Sequence, residues 1–186
     1  MPERTRTPLG QIMLTNLILT VISQDKPGIV EAVANVVTSN GGNWLESRLT
    51  QLAGKFAGVV RIQVEKDKQQ GLVEALQALG ARQINVLVDE ADDTFAPAST
   101  QLASFHAVGP DRPGIVREIS QAFAHYNINV EELSTRYSSM PYSGDPLFEA
   151  EGKLQVPEHF ALHELEERLD EVANHLAVDI SVKMLN

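Results

Sequence analysis

Short apolar stretches alternate with amphipathic stretches along the chain, and the order of the two kinds occurs twice. In the first half, four stretches are short, rich in branched side chains and bounded by polar turns, which predicts strands at 17–22, 43–52, 56–65 and 84–88. Two other stretches carry apolar residues every three or four positions, which predicts helices at 29–39 and 68–79. The predicted order is β-α-β-β-α-β.

The second half repeats that order, with strands predicted at 102–108, 128–137, 147–156 and 177–184 and helices at 115–123 and 158–175. A split pattern of this kind gives a four-stranded antiparallel sheet with two helices on one face. We therefore predict an α+β protein made of two ferredoxin-like βαββαβ domains. Their expected bounds are 14–90 and 102–186, and the polar, proline-containing segment 91–101 is the expected linker.

The two halves differ at the middle hairpin, because the segment 138–146 is longer than its counterpart at 53–55. It contains two prolines and a glycine and has aromatic residues nearby. A tolerated insertion at a hairpin tip is the favoured interpretation. The alternative is a lid or a contact surface.

The same six-residue motif occurs at 25–30 and, 86 positions later, at 111–116. Five of the six residues are identical, and the remaining position is Lys26 in one copy and Arg112 in the other. An asparagine follows each motif glycine after fifteen residues. A repeat of this length is too long for a solenoid unit and suits a small domain, so the chain is predicted to be a tandem duplication.

The repeated loop has the chemistry to bind an amino acid. A glycine that opens a helix lets a ligand approach the backbone, and the N–H groups at the helix start, with the helix dipole, can seat a carboxylate. Asp25 and Asp111 can hold an ammonium group, while Asn43 and Asn129 offer donors and acceptors. Apolar neighbours would then set the size of the side-chain pocket.

A purely structural interpretation of the same residues is also consistent with the sequence, and the chemistry alone favours it slightly. Aspartate can cap a helix, proline fixes φ in its first turn, and glycine tolerates a tight bend. Asn43 and Asn129 could likewise only cap the turns before them. Chemistry alone leaves the two interpretations open.

Composition narrows the class of protein. The net charge of −10 disfavours direct binding to nucleic acid, although Arg4 and Arg6 make a weak basic tip. The absence of cysteine excludes disulfides and thiolate chemistry. The apolar run 17–22 is too short to span a bilayer, and no signal peptide is evident, so we expect a cytoplasmic protein.

No catalytic constellation or cofactor motif stands out, so we expect neither an enzyme nor a cofactor. His159 and His163 have the spacing of metal ligands on a helix, but a third ligand is not clearly placed, so no metal site is predicted. His106 lies in a predicted strand and is expected to be a hydrogen-bonded histidine of the core or of an interface. Each small domain buries a modest core, so packing the two copies together or dimerising would add stability, and we expect a homodimer.

The β-α-β-β-α-β order with a glycine in the first loop resembles the ACT domain, a module that binds small ligands, most often amino acids. Two such domains with D-[KR]-P-G-I-V in both resemble the family of tandem ACT repressors of the glycine cleavage system, over about residues 14–185. This resemblance implies a non-enzymatic regulator that senses glycine or another small amino acid. It also implies a protein partner, a DNA-binding transcriptional activator, and no direct contact with DNA.

Matching positions in the family imply these ligand-binding residues: Asp25, Pro27, Gly28, Ile29, Val30, Asn43, Asp111, Pro113, Gly114, Ile115, Val116 and Asn129. Two alternatives stay open. The chain could be a ligand-free scaffold for interaction or dimerisation, or it could regulate a metabolic enzyme.

Overall fold

The computed structural model describes residues 13–91, 100–158 and 160–185, and it divides the chain into two compact units within 1–95 and 96–186. Each unit has the order β-α-β-β-α-β, which confirms the predicted α+β fold class. The described residues do not include Arg4, Arg6, His159 or most of the expected linker. The expectations for these parts of the chain therefore fall outside the description.

The first unit is an antiparallel sheet with the strand order β2-β3-β1-β4. Its elements are β1 (Leu14–Gln24), α1 (Ile29–Ser39), β2 (Asn43–Leu52), β3 (Lys55–Glu65), α2 (Gln69–Gln77) and β4 (Ile84–Glu90). The α-helical part of α2 is shorter than the predicted 68–79, because 3₁₀ turns at Lys66–Lys68 and Ala78–Arg82 flank it. Strand β1 is longer than predicted because its polar ends also pair, with β3.

The second unit has the corresponding order β6-β7-β5-β8. Its elements are β5 (Thr100–Pro110), α3 (Ile115–His125), β6 (Asn129–Ser139), β7 (Pro146–Pro157), α4 (Leu162–Leu176) and β8 (Asp179–Met184). Helix α4 begins four residues later than predicted. A turn closed by the Phe160 N–H and the Pro157 carbonyl, 3.0 Å apart, separates it from β7.

Each core lies between one face of the sheet and its two helices. In β1, the alternating residues Leu17, Leu19 and Val21 are buried, as period-two alternation in a half-covered sheet requires. The intervening residues Thr20 and Ile22 are exposed on the other face. In the second core, the rings of Phe105 and Phe123 pack edge to face with their centroids 5.0 Å apart.

The two cores differ in the sizes of one pair of side chains on neighbouring strands. Leu19 pairs with Val60 in the first sheet, whereas Phe105 pairs with Gly152 at the matching place in the second. A Cβ on Gly152 would lie 2.6 Å from Cε1 of Phe105 and 2.1 Å from the Glu132 carbonyl oxygen. Glycine is therefore required at position 152 for two reasons: the ring of Phe105 and the backbone of β6 both lie too close for a side chain.

Candidate functional site

The first repeated motif forms the loop between β1 and α1. The Asp25 N–H donates to the carbonyl of Gly54, at 3.0 Å, which ties the loop to the turn between β2 and β3. Gly28 adopts φ +89°, the left-handed region that favours glycine, and serves as the N-cap of α1. The Ala32 N–H closes the first helical bond on the Gly28 carbonyl, at 2.9 Å. No side chain caps α1, so Asp25 does not act as the helix cap.

The second motif forms the equivalent loop between β5 and α3. The Asp111 N–H donates to the Pro146 carbonyl at 3.0 Å, which ties this loop to the end of the longer hairpin. Gly114 adopts φ +104° and is the N-cap of α3. The Glu118 N–H donates to the Gly114 carbonyl at 3.0 Å. Glu118 is the counterpart of Ala32, because the N–H of each donates to the carbonyl of its motif glycine.

The basic residue of each motif holds its loop against the end of the second helical segment of the same unit. Lys26 Nζ donates to the Arg82 carbonyl at 2.9 Å, and the Arg112 guanidinium donates to the His175 carbonyl. Carbonyls at a helix C-terminus have no partner within the helix and attract cations. The retained positive charge therefore has a structural role within each unit.

A small open cavity of about 270 Å³ lies beside the first loop. It is lined by Asp25, Lys26, Gly28, Ile29, Val30, Glu31 and Phe56. Its volume lies just below the range of about 300–1,000 Å³ that accommodates drug-sized ligands. The cavity therefore matches a small ligand in size.

The first cavity combines donors for an anion with acceptors for a cation. The N–H groups in the first turn of α1 have no helical partner, and the helix dipole favours negative charge there. The exposed side chains of Asp25 and Glu31 supply carboxylates at the same cavity. Within the described part of the chain, neither carboxylate forms an ion pair. An amino acid has a carboxylate that can accept from these N–H groups and an ammonium group that can bind these carboxylates.

The second loop carries more of its own charged side chains. If Gly114 had a Cβ, that atom would lie 3.6 Å from Nη2 of Arg117 and 3.7 Å from Oε1 of Glu118. These two side chains form an ion pair at 3.5 Å, and His175 Nε2 lies 3.9 Å from the other Glu118 oxygen. At Gly28, the only such neighbour among the described residues is Glu31, at 3.9 Å.

The two predicted asparagines lie at the opposite end of each sheet from the loops. Asn43 pairs with Gln63, which pairs in turn with Asn16 near the start of β1, whereas the loop follows Gln24. Eight residues of strand separate those ends, a span of roughly 26 Å at about 3.3 Å per residue. Asn129 Nδ2 donates to Gln155 Oε1 at 3.2 Å. Within one unit, loop and asparagine do not share a pocket, because α1 or α3 carries the chain back along the sheet.

A separate charged cluster lies on the open face of the second sheet. His106 Nε2 lies 3.1 Å from one oxygen of Glu149, and the Arg136 guanidinium contacts the other oxygen at 3.0 Å. The hydrogen bond from His106 is the main reason that the pKa of Glu149 lies below its ordinary value, and the charge of Arg136 lowers it further. His106 is thus hydrogen-bonded, as expected, but its side chain is 43% exposed and lies outside the core.

Four residues around the loops were not singled out from the sequence: Glu31, Phe56, Arg117 and Glu118. The sequence contains a signal for three of them. Immediately after the identical motifs, Glu31 and Ala32 in one copy stand where Arg117 and Glu118 stand in the other. Phe56 gives no local signal, because the pairing of β1 with β3 brings it to the loop.

Residues 15–87 match the model of the ACT domain. The second unit repeats the fold and the loop of the first. Residues 15–87 therefore form an ACT domain, and the second unit has the same fold. The chain is similar to the glycine cleavage system transcriptional repressors of Escherichia coli (strain K12) and Shigella flexneri, with 25% identity to each over 122 residues. That alignment covers 64% of this chain and 64% of the length of each relative, slightly less than two thirds.

Two solved structures share the fold of this chain along nearly its whole length. A crystal structure of an unknown protein from Galdieria sulphuraria has a TM-score of 0.83 and 23% identity, covering 94% of this chain and all of its own. A structure provisionally described as a glycine cleavage system transcriptional repressor has a TM-score of 0.70 and 20% identity. The match covers 94% of this chain and 99% of the other. Because both identities are below 25%, the similarity to these two structures shows a shared fold and nothing more.

Two features of the described residues bear on other functions. Within 13–91, 100–158 and 160–185, no helix is long and apolar enough to cross a membrane. In the same residues, no three histidine, aspartate or glutamate side chains are grouped so that they could hold a metal ion. The pairing of His159 with His163 falls partly outside this description.

Proposed function

We propose that this chain is a non-enzymatic regulator that binds glycine or another small amino acid at a β-α loop and transmits that binding to a protein partner. The observation that carries the proposal is the first loop cavity. It combines the free N–H groups at the start of α1 with the carboxylates of Asp25 and Glu31 in about 270 Å³. The tandem ACT fold and the regulatory names of its relatives support the same function.

In this proposal the ligand carboxylate binds the N–H groups of Ile29 and Val30, where Gly28 presents no Cβ. Asp25 or Glu31 holds the ammonium group. The apolar residues that line the cavity are Ile29, Val30 and Phe56, and they limit the ligand to a small side chain. The size of the cavity and its paired charges favour glycine-sized zwitterions over larger anions.

The proposed partner is a DNA-binding transcriptional activator that acts on a glycine cleavage operon. The names of the two relatives support a role in repression, and the net charge of −10 disfavours direct contact with DNA. Ligand binding would order the loop and change affinity for the partner. A coupling of about 1–3 kcal/mol between the two sites is enough for a useful switch.

Isothermal titration of the full chain with glycine, alanine and serine, and with leucine as an oversized control, tests the ligand. We expect saturable binding of at least one small amino acid and much weaker binding of leucine. Folded protein that binds none of the small amino acids would overturn the sensor proposal.

A ligand-free scaffold is the second candidate, and the loop tethers favour it. The Lys26–Arg82 and Asp25–Gly54 bonds hold the first loop without any ligand. Under this alternative, the chain binds its partner equally well with and without amino acid. Measuring activator binding by surface plasmon resonance in 0 and 10 mM glycine separates the two candidates, because only the sensor changes its affinity.

A further inference from the structure

The face of the first sheet that carries no helix has an apolar centre. Ile22, Val59 and Leu87 lie on this face, and they are 46%, 45% and 69% exposed. They are neighbours in the sheet, because Thr20 pairs with Val59 on one side and with Leu87 on the other. Ile18 and Ile22 lie two residues along β1 on either side of Thr20, and alternate residues of a strand share a face. These five residues form the central patch of the open face.

The second sheet shows that the fold does not require such a patch. Its strand register places Glu151 where the first sheet has Val59. In the same way, Ser181 stands where the first sheet has Leu87. Charged side chains cost free energy to bury unless they are paired, whereas apolar side chains gain from burial. Of the two open sheet faces, only the first therefore suits a partner that covers it.

The open face of the first sheet is large enough for a stable interface. With strands about 4.8 Å apart and about 3.3 Å per residue, four strands of 7 to 11 residues have a flat area of roughly 600 Å². The side chains make the accessible area larger than this flat area. Each partner in a standard protein–protein interface buries about 800 Å². Two such faces packed together would therefore bury the area that a stable dimer needs.

The central patch is also complementary to itself. In the commonest kind of dimer, a two-fold axis relates two copies of the same surface. An axis across the strands at Thr20 would place Val59 and Leu87 of one copy over the same residues of the other. It would also place Ile18 over Ile22, because the two residues are equally far from Thr20. Sheets pack face to face in this way about 10 Å apart, with their side chains interdigitated.

We propose that this chain forms a homodimer through the open face of the first sheet, with the central patch of one copy packed against the central patch of a second copy. The match of apolar surface with apolar surface selects a second copy over a charged partner. Helices α1 and α2 cover the opposite face of the sheet, so they stay available to other partners in this dimer. The dimer does not depend on the proposed amino-acid ligand.

Sedimentation velocity of the full chain tests the dimer. We expect a species of twice the chain mass of 20.4 kDa that dissociates on dilution. The double variant Val59→Glu/Leu87→Ser copies the residues of the second sheet and is expected to weaken dimerisation at least tenfold. Circular dichroism checks its fold, and Val59→Thr, a milder change that stays β-branched, is expected to weaken dimerisation severalfold even if the double variant unfolds. A monomeric wild-type chain, or a folded variant that dimerises as tightly as the wild type, would overturn the proposal.

A matched pair of single cysteines then locates the interface. Because the chain has no cysteine of its own, each variant has one thiol. Val59→Cys places that thiol beside its equivalent in the second copy, and oxidation with copper phenanthroline is expected to give a covalent dimer on a denaturing gel. Ser181→Cys places an exposed thiol on the open face of the second sheet and is expected to stay mostly monomeric on that gel. Equal cross-linking of the two variants would overturn the assignment to the first sheet.

Discussion

Lys26 Nζ donates a hydrogen bond to the backbone carbonyl of Arg82, 2.9 Å away and 56 residues further along the chain. Arg112 makes the corresponding bond to the His175 carbonyl in the second unit. The one motif position that changes identity therefore keeps its charge for a structural reason. Each bond joins the β-α loop to the end of the helical segment that precedes the last strand.

Removing the Lys26 bond is expected to destabilise the first unit modestly. An exposed hydrogen bond of this kind contributes about 0.5–1.5 kcal/mol, so Lys26→Met should lower the unfolding free energy by that amount. Trp44, the only tryptophan, packs against the first core, so its fluorescence during urea denaturation reports on this unit. The exposed Lys66 provides a control: Lys66→Met should cost less, and an equal loss in both variants would contradict the tether.

Filling Gly152 is expected to destabilise the second unit strongly. The new methyl group of Gly152→Ala would lie 2.1 Å from the Glu132 carbonyl oxygen and 2.6 Å from Phe105, so strands or rings must shift. Overpacking of this kind costs about 1–3 kcal/mol or more. Thermal unfolding followed by circular dichroism measures the loss.

The double variant Phe105→Leu/Gly152→Ala shows which neighbour dominates. Leucine reproduces the residue at Leu19 in the first unit and removes the contact with the ring. Recovery is expected to be partial, because the backbone oxygen is the closer of the two atoms. Full recovery of the melting temperature would instead show that the destabilisation by Gly152→Ala comes entirely from the contact with the Phe105 ring.

The His106–Glu149–Arg136 cluster is expected to make stability depend on pH in the acid range. The pKa of Glu149 is lowered from its ordinary value of 4.5, first by the hydrogen bond with His106. Its contribution is present above the unfolded pKa, and it is lost as the pH falls through the lower folded value. Wild-type protein should therefore lose more stability between pH 7 and pH 3 than Glu149→Gln, as measured by melting temperature. Identical pH profiles would contradict this role.

Shortening the second hairpin is expected to leave the fold intact. Residues 140–145 lie between the paired residues Ser139 and Pro146, and their backbone bonds stay within the tip, such as Met140 N–H to the Asp145 carbonyl at 2.8 Å. Replacing the six residues with Ala-Gly copies the Ala53-Gly54 turn of the first unit. The melting temperature should change by less than about 4 °C, corresponding to under about 1 kcal/mol. Loss of the folded circular dichroism spectrum would show that the tip supports the sheet.

Much of each unit was predictable because strands and helices leave local periodic signals. The spacing of apolar residues in α1 indicated its buried face, and the motif glycine marked the start of that helix. The apolar run in β1 predicted a buried strand, but only Leu17, Leu19 and Val21 are buried, and Ile22 is exposed on the other face. Helix ends were less predictable: the turn at Pro157 delays α4, and 3₁₀ turns shorten α2, because both depend on how neighbouring elements pack.

The structure brings part of the predicted site together, and ligand binding at these residues stays a prediction. The loop residues Asp25, Gly28, Ile29 and Val30 line one cavity, whereas Asn43 lies at the far end of the sheet. Equal spacing in the sequence made the loop and the asparagine appear to be one constellation. A helix between them reverses the direction of the chain, so constant spacing here places the two groups apart.

The duplication, the order of the elements, the buried helix faces and the helices that start at a glycine could all be read from the sequence alone, because each depends on short-range propensity and period. Folding was needed to establish the strand order β2-β3-β1-β4, the position of Phe56 at the first loop, the hydrogen bond from Lys26 to Arg82 and the approach of His175 to Glu118. These features arise between segments far apart in the chain, and they exist only where sheet pairing and helix packing bring distant atoms within a few ångströms.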